Sequence, residues 1–436
     1  MLGATQEQII AIEKAKALGL YVITCDNRPD NPGHALADES YNVSITDKEA
    51  VLALAQRLKV DAVICYALEA GVEAAAFAQE QMGRPTPPYE SVKILSNKKL
   101  FRSFLQTHGF ATPETYEVSS FKLQGSVFKP NPAPLQGREN PSEADSSLFT
   151  HHSSLIVKPT DMWGSRGVCL VEREEDLQQA IDEARKNSRS GNIIIEEYIS
   201  GTPLQCDAFS VDGILTSCLW SDVFYDRDCA NPLIPVAGAF PSECRQEVIR
   251  KVNDEVQRLI TLLRMGTSPY NIEVMLSNDN IYIMEMAPRN GGNGKSHLIE
   301  LATGVDFITG AIKASLGMDC SDIIQRPSQG HWLSYALHKR NNEPSVPSAP
   351  SAPSAPSVPS VPSVGESAIL SQTPPTPPPP TTLLSTGASF VTIYDRNPGP
   401  FRSTRDTAGL IIQRFDDRQS LNEAIKGHSI NNRLYL

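Results

Sequence analysis

The first ninety residues alternate between apolar runs and helical patterns, and this alternation constrains the fold more than any other feature of the chain. Continuous apolar runs at 20–25 and 61–66 predict buried strands. Helical patterns lie between and beyond these runs, at 9–18, 46–58 and 69–82. Strands that alternate with helices pair in parallel, so this order predicts a doubly wound parallel sheet.

A further strand is expected at Met1-Leu2, before the turn at Gly3. Two apolar residues are fewer than a central strand normally has. We expect a missing or misassigned N-terminus; the alternative is a first strand that is short and frayed. The pattern of the remaining residues leaves both explanations open.

Strands and helices follow each other less regularly after residue 90. Helical patterns cover 91–108, 176–185 and 245–263. Strand patterns cover 154–158, 167–171, 193–197, 204–211, 214–220, 271–276 and 281–286. Residues 122–154 are polar and rich in proline and serine, which predicts an inserted loop.

The segment 341–386 is of low complexity. Proline recurs at every third position from Pro347 to Pro362, and Pro377 to Pro380 form a run. This composition favours an extended tether, with a plain spacer preferred to a docking site for a proline-binding partner. Strand patterns return at 389–394 and 409–415, as in 331–338, so the tether is expected to interrupt a single domain.

Charge and cysteine usage exclude several classes of protein. The formal net charge of −11 disfavours nucleic-acid binding, which needs a basic face. No apolar run approaches the roughly 18–20 residues of a membrane span, and no signal-peptide pattern opens the chain. The eight cysteines form no C-x-x-C pair, so we expect buried free thiols in a reducing, cytoplasmic compartment.

Four segments, in chain order, carry residues suited to nucleotide chemistry. Lysines and a small-residue loop supply the cations and backbone donors that a triphosphate needs: Lys98, Lys158, Gly164, Ser165 and Gly167. The strand end Glu196-Glu197-Tyr198-Ile199 offers acceptors and donors to an adenine edge. The loop is neither G-x-x-x-x-G-K-[ST] nor G-x-G-x-x-G, which excludes the P-loop and Rossmann interpretations.

The fourth segment holds two carboxylates and an arginine. Glu273 and Glu285 lie on two predicted strands separated by the turn 277–280, and a hairpin there turns both toward one site. Magnesium that bridges phosphates takes one or two carboxylates. Arg289 is placed to hold a substrate carboxylate or the transferring phosphoryl group. Each fragment alone also fits a surface lysine, a turn or a solvated strand, so the prediction of a nucleotide site depends on the occurrence of all four fragments in this order.

This ordered set resembles the one found in ATP-grasp enzymes, and the resemblance covers nearly the whole chain. It implies an α/β and α+β protein: a pre-ATP-grasp domain at 1–90, a two-lobed ATP-grasp domain at 91–340, a disordered insertion at 341–386, and the C-terminal part of the ligase domain at 387–436. The nearest branches are those of biotin carboxylase and carbamoyl-phosphate synthase. The resemblance also implies the ligands, ATP and Mg²⁺ with Mn²⁺ as an alternative metal.

Roles for individual residues follow from the same resemblance. It makes Lys98 and Lys158 the lysines of the ATP site, 162–167 the mobile phosphate loop, and 196–199 the adenine hinge. It makes Glu273 and Glu285 the magnesium ligands, and it makes Lys158 and Arg289 catalytic. The acid is expected near Glu69 and Ala70, facing Arg289.

Two positions depart from the family pattern. Ala287 stands where the family usually has an asparagine metal ligand, which leaves either a weaker metal site or compensation by Asn290. Leu204-Gln205 stands where a glutamate is often found, and no biotin-attachment M-K-M sequence is present.

Three functions stay open. The first is a carboxylate–amine ligase that forms an acyl phosphate from small-molecule carboxylate and amine substrates, as a homodimer by family analogy. The second is a carboxyphosphate-forming enzyme that uses bicarbonate, and the third is an ATP-binding protein with impaired catalysis.

Overall fold

The computed structural model describes residues 1–116, 154–338, 388–393 and 406–427. The predicted insertion at 122–154, apart from Ser154, and the tether at 341–386 lie outside the described residues. The predicted domain limits at 90, 340 and 387 therefore stay predictions. Among the described helices, none combines the length and apolar character needed to span a bilayer.

The N-terminal unit is a small parallel sheet with helices on both faces. Strand β1 (Ile23–Cys25) pairs in parallel with β2 (Glu39–Tyr41), and Leu2 forms parallel bridges with both Cys25 and Cys65. Helix α1 (Ile9–Ala17) packs on one face, and α2 (Lys48–Leu58) and α3 (Val72–Gln81) pack on the other. The predicted doubly wound parallel sheet is confirmed.

Details of this sheet correct the sequence analysis. Strand β2 was not predicted, and the expected strand at 61–66 contributes only the single bridge at Cys65. The first strand is short but not frayed: Leu2 is 3% exposed and its amide donates to the carbonyl of Ile64 at 2.8 Å. The strand is too short to be held by its own backbone pairing, and burial of the Leu2 side chain against the neighbouring segments stabilises it instead.

The helix predicted at 91–108 is two helices. Helix α4 (Tyr89–Ser96) ends at Asn97, and α5 (Lys98–Thr107) begins immediately after it. Asn97 has extended backbone angles, and its side-chain oxygen accepts from the amides of Lys99 and Leu100. Asparagine caps a helix better than it continues one, so Asn97 ends α4 and places Lys98 at the N-terminus of α5.

The smaller lobe of the central region is a four-stranded antiparallel sheet with one covering helix. Its elements are β3 (Thr115–Tyr116), β4 (Leu155–Pro159), β5 (Cys169–Val171), α6 (Leu177–Asn187) and β6 (Ile193–Glu197). The strands run in the order β3-β6-β4-β5, and α6 packs on one face. The core between sheet and helix is fully buried at Leu155, Val157, Ile181 and Ile195.

The larger lobe is an eight-stranded antiparallel sheet. Its strands run in the order β11-β10-β7-β8-β9-β12-β14-β13. Helix α7 (Gln246–Leu263) packs on one face, and α8 (Lys295–Thr303) packs on the opposite face. The other elements are β7 (Thr202–Val211), β8 (Ile214–Tyr225), β9 (Pro235–Phe240), β10 (Ser268–Ser277), β11 (Asn280–Ala287), α9 (Phe307–Ser315), β12 (His331–Leu337), β13 (Ala388–Ile393), β14 (Gly409–Phe415) and α10 (Arg418–Gly427).

The chain returns to this sheet after the tether. Strand β14 pairs with β12 on one side and with β13 on the other, so the strands predicted on either side of the tether are neighbours. The larger lobe therefore forms one continuous sheet from β11 to β13.

Candidate active site

Two carboxylates meet across the hairpin of β10 and β11. Glu273 and Glu285 are register partners in this antiparallel pair. The hairpin turns at Asn278 and Asp279, whose φ angles of 48° and 64° are positive, a backbone that these residue types tolerate. The hairpin predicted around 277–280 is confirmed, and directly opposed residues share one face of a sheet.

The two carboxylates have different charge environments. Burial and the neighbouring Glu285 raise the pKa of Glu273 to about 7. Burial also acts to raise the pKa of Glu285, but the cations Lys98 and Arg289 outweigh it and hold that pKa below its ordinary value. Two half-buried carboxylates on one face repel each other, and a divalent cation between them would relieve the repulsion. The donor set therefore fits magnesium.

Lys98 links this pair to the predicted phosphate loop. Its Nζ donates to the carbonyl of Met162 at 2.6 Å and lies 3.8 Å from the Glu285 carboxylate. Lys98 is the first residue of α5, where the helix dipole adds a favourable field for anions. Lys98 thus stands between the loop and the carboxylates.

Lys158 is held by a buried cluster that sequence reasoning did not find. Its ammonium forms an ion pair with Glu196, and Arg102 Nε donates to the same carboxylate at 2.8 Å. Burial lowers the pKa of Lys158 to about 8, against the opposing effect of Glu196. Burial would raise the pKa of Glu196, but Arg102 and Lys158 keep it below its ordinary value.

Arg102 also fixes the position of the hairpin. Its Nη2 donates to the carbonyl of Met284 on β11 at 2.9 Å. Arg102 lies four residues after Lys98 on α5, and this spacing places both side chains on one face of the helix. The i,i+4 spacing of Lys98 and Arg102 is the sequence feature that could have indicated that Arg102 belongs to the site.

The four residues of the predicted adenine hinge lie at the end of β6. The Glu196 carboxylate pairs with Arg102 and Lys158. The amides of Glu197 and Tyr198 donate to the carbonyls of Glu114 and Ser154, at 2.9 Å and 3.2 Å. Burial raises the pKa of Tyr198 to about 12, and Ile199 is buried. Adenine contact by these four residues stays a prediction.

The predicted phosphate loop is a compact turn over the carboxylate pair. Gly164, Ser165 and Gly167 all have positive φ angles, of 63°, 56° and 71°. A Cβ on Gly167 would lie 2.7 Å from the Cβ of Asn187, so glycine is required there for packing as well. The side chain of Asn231 donates to the Ser165 carbonyl at 3.2 Å and holds the loop in place.

These parts enclose one cavity of about 150 Å³. The loop residues Gly164 and Ser165 line it together with both carboxylates and Arg289. Three polar residues that the sequence analysis did not assign also line it: Gln205, Asn271 and Lys295. The structure therefore brings together the loop, the carboxylates and the arginine that lie far apart in the chain.

Arg289 faces the N-terminal unit, as expected. It forms an ion pair with Glu69, and Glu69 and Ala70 line a second cavity of about 90 Å³ beside Lys98 and Glu285. Burial would lower the pKa of Arg289, but Glu69 outweighs this and raises it. The arginine is therefore a permanent cation at the junction of the N-terminal unit and the larger lobe.

Compensation for Ala287 by Asn290 is not what the structure shows. Asn290 is buried, and its amide nitrogen donates to Ser296 Oγ and to the carbonyl of Phe307. Instead, Asn271 is the register partner of Ala287 and lies on the carboxylate face of the hairpin. The local pattern could not reveal this because the pairing register decides which residue faces position 287.

Gln205 completes the polar edge of the pair. Its Nε2 lies 3.3 Å from both Asn271 Oδ1 and Glu273 Oε1. Gln205, which departs from the family pattern, thus donates a hydrogen bond to Glu273, a predicted metal ligand. Such donors orient a carboxylate toward a metal.

Comparison with known proteins gives one matching domain family and related sequences. Residues 151–297 match the ATP-grasp domain family. A formate-dependent phosphoribosylglycinamide formyltransferase from Nitratiruptor sp. is 24% identical over 303 residues, which cover 66% of this chain and 69% of the relative.

Solved structures share the fold over the whole chain. An L-amino acid ligase from Bacillus licheniformis superimposes with a TM-score of 0.71 at 18% identity, covering 100% of this chain and 98% of the other. A phosphoribosylglycinamide synthetase from Anaerococcus prevotii gives a TM-score of 0.66 at 17% identity, with coverage of 100% and 98%. The domain match and the shared fold support an ATP-grasp protein. The sequence relatives support the carboxylate–amine ligase branch of that superfamily.

Proposed function

We propose that this protein is an ATP- and magnesium-dependent ligase that converts a carboxylate into an acyl phosphate and transfers the acyl group to an amine. The observation that carries the proposal is the pairing of Glu273 with Glu285 beside Lys98, inside a cavity that the loop residue Ser165 also lines. A phosphoryl-transfer site needs cations, carboxylates for magnesium and exclusion of water, and this cavity supplies residues for each.

Each residue has a role that follows from its position. Lys98 and Lys158 would neutralise the phosphates of ATP, and the loop 162–167 would keep water from the acyl phosphate. Glu273 and Glu285 would hold the metal, which, when bound, supplies positive charge to the phosphate oxygens. Arg289 would steady the group that is transferred.

The reaction has two steps with defined bonds. A carboxylate oxygen attacks the γ-phosphorus of ATP, a P–O bond forms, and ADP leaves with the electrons of the broken bond. The amine nitrogen then attacks the acyl carbon, phosphate leaves, and a C–N bond remains. The protein contributes by positioning and electrostatics, so no general base is assigned.

Further features belong to the proposal. Mn²⁺ would also suit the two carboxylates, since it takes oxygen ligands. A homodimer is proposed by analogy with a biotin carboxylase domain solved as a dimer. A reducing, cytoplasmic setting is proposed because all eight cysteines are free thiols.

The test is ADP release by the purified protein, supplied with ATP and magnesium, against pools of carboxylic acids and amines. We expect an acid–amine pair to stimulate release in the wild type and not in Glu285→Gln. Stimulation by bicarbonate alone would indicate a carboxyphosphate-forming enzyme. Tight ATP binding with no stimulation by any pool would indicate an impaired catalyst.

A further inference from the structure

The cavity of about 90 Å³ beside Lys98 has no ligand in the proposed reaction. Three parts of the chain form its walls: the start of α3 in the N-terminal unit, the phosphate loop of the smaller lobe, and the hairpin of the larger lobe. Glu69 and Glu285 line this cavity and also the cavity of about 150 Å³ that contains the carboxylate pair. A ligand in the smaller cavity would therefore share a wall with the site of phosphoryl transfer.

Besides Lys98, two cations line the smaller cavity, and both have partners within the protein. Lys48 donates to the hydroxyl of Tyr89 at 3.0 Å. The guanidinium group of Arg189 lies over the ring of Trp163, 5.8 Å from its centroid. Cations over aromatic rings and beside hydroxyl groups are stabilised where they stand, so these two are already engaged without an anionic ligand.

The Glu73 carboxylate differs from its neighbours because it has no partner. Among the described residues it forms no hydrogen bond or ion pair. The other two acids of the cavity, Glu69 and Glu285, contact Arg289 and Lys98. Glu73 is partly buried in the first turn of α3. Since withdrawing an unpaired charge from water is costly, a cation is the ligand that this carboxylate favours.

Apolar side chains form much of the remaining wall, namely Val72, Leu95, Phe101, Met284 and Pro288. The volume is well below the roughly 300–1,000 Å³ of pockets for drug-sized ligands, so the ligand should be small. A carboxylate within an apolar wall suits a small primary amine, because the ammonium group meets the carboxylate and the carbon atoms meet the apolar residues.

We infer that this cavity binds the amine substrate and that Glu73 holds its ammonium group. This inference rests on the proposed function, which needs an amine and leaves its site open. Glu69 and Glu73 are four residues apart at the start of α3, and side chains at this spacing are neighbours, with Cβ atoms about 5–6 Å apart. An amine at Glu73 would therefore lie next to an acid bound near Glu69. Glu73 selects and places the amine, and the C–N bond then forms as in the proposed reaction.

The charge environment of Glu73 agrees with a cationic ligand. Burial raises the pKa of Glu73, although Arg189 and Lys48 act in the opposite direction. The carboxylate is therefore less stable as an anion here than in water. An ammonium group bound beside it would favour the charged form and lower this pKa again.

The experiment measures binding of ethylammonium chloride to the whole chain by ligand-observed NMR, with MgADP at saturation so that the metal-site carboxylates are occupied. We expect Glu73→Gln to weaken ethylammonium about tenfold, as for loss of a charge-assisted hydrogen bond. Ethanol, which has the same number of non-hydrogen atoms and no charge, should bind the wild type and Glu73→Gln equally. Glu49→Gln removes an exposed carboxylate of the same unit that does not line the cavity, and it should leave ethylammonium affinity within about twofold.

A second variant tests the cavity without changing its charge. Ala70→Leu places a larger side chain in the cavity and should also weaken ethylammonium. MgADP affinity should stay within about threefold in both variants, which shows that they are folded. Ethylammonium affinity that is unchanged in Ala70→Leu would place the amine elsewhere and overturn the inference.

Other outcomes separate the inference from the proposed function. Ethylammonium binding that is absent in the wild type, or unchanged in Glu73→Gln, overturns the inference, and MgADP binding then leaves the proposed function standing. Acetate that binds in place of ethylammonium and is weakened by Lys48→Met would show that the cavity takes an anion, which also overturns the inference. A wild type that binds no MgADP contradicts the proposed function itself.

Discussion

Arg102 and Glu196 join the two lobes of the central region. Arg102 Nε donates to the Glu196 carboxylate at 2.8 Å on the smaller sheet, while its Nη2 donates to the Met284 carbonyl on the larger one. Glu196 in turn pairs with Lys158. Lys158, which is predicted to contact ATP, is therefore positioned by Glu196, and the pair of Glu196 with Arg102 also joins the two lobes.

Replacement of Arg102 should cost both stability and nucleotide affinity. Arg102→Met leaves the buried Glu196 with a single cation, and breaking a buried pair typically costs about 3–5 kcal/mol. Urea unfolding measures the loss, and nucleotide titration should show weaker ATP binding. Arg173→Met removes an exposed arginine that also pairs with carboxylates and should change unfolding by under about 1 kcal/mol. Equal effects of the two variants would contradict the structural role of Arg102.

Nucleotide affinity should fall as pH rises above about 8. Burial lowers the pKa of Lys158 to about 8, so in the free protein the ammonium is lost as pH rises through that value. The neutral amine attracts phosphate less, and affinity should decline between pH 8 and 9.5 in the wild type. In Lys158→Met the affinity should be weaker and nearly independent of pH over that interval. A wild-type nucleotide affinity that stays constant up to pH 9.5 would contradict this prediction.

The same lysine affects stability in a defined direction. Its pKa is near 8 when folded and near 10.5 when unfolded, so the unfolded chain binds more protons between these values. The contribution of Lys158 to stability therefore rises from pH 8 to 10.5, because the buried charge is removed. Comparison of the unfolding free energies of wild type and Lys158→Met over this range isolates the effect.

Glu273 should cost stability in the metal-free protein. The neighbouring Glu285 and burial both oppose its charge, so Glu273→Gln removes a repulsion. We expect the variant to melt roughly 2–4 °C higher than the wild type in EDTA at pH 8. In magnesium it should have lost nearly all ADP release. Glu255→Gln, on the exposed side of α7, should alter neither property; a Glu273→Gln variant that melts below the wild type in EDTA would argue against the repulsion.

Asn271 should matter for metal affinity because it lies opposite Ala287. Asn271→Ala removes an amide beside the carboxylate pair, and we expect about ten- to a hundredfold weaker magnesium binding. Ala287→Asn, introduced into that variant, restores an amide across the same register position and should recover part of the affinity. Magnesium titrations followed by nucleotide binding test both steps. Ala70 lines only the neighbouring cavity. If Ala70→Asn restored magnesium affinity to the Asn271→Ala variant as well as Ala287→Asn does, the location of the amide opposite residue 271 would not matter, and the prediction would be wrong.

The sequence predicted those parts of the site that depend on local chemistry. The turn at 277–280 predicted the hairpin, and a register shift between Glu273 and Val274 then sets Glu273 against Glu285. The apolar run at 20–25 predicted a parallel strand because such strands are buried on both faces. These inferences need only neighbours in the chain.

The parts that were missed depend on distant residues. Lys295 opens a helix whose start is a glycine-rich loop with no side-chain cap, so the pattern showed no helix there. Arg102 was predicted to be helical, but its partners, the Glu196 carboxylate and the Met284 carbonyl, lie on two separate sheets. Asn271 acquires its place only through the register of β10 with β11. Tertiary pairing, not local propensity, decides these three.

The most direct test of the central claim is capture of the acyl phosphate with hydroxylamine in place of the amine. With ATP, magnesium and an accepted acid, the wild type should form a hydroxamate in the same amount as ADP, and Glu285→Gln should form neither. Formation of AMP and pyrophosphate, or release of ADP without hydroxamate, would contradict activation of a carboxylate by phosphoryl transfer at Glu273 and Glu285.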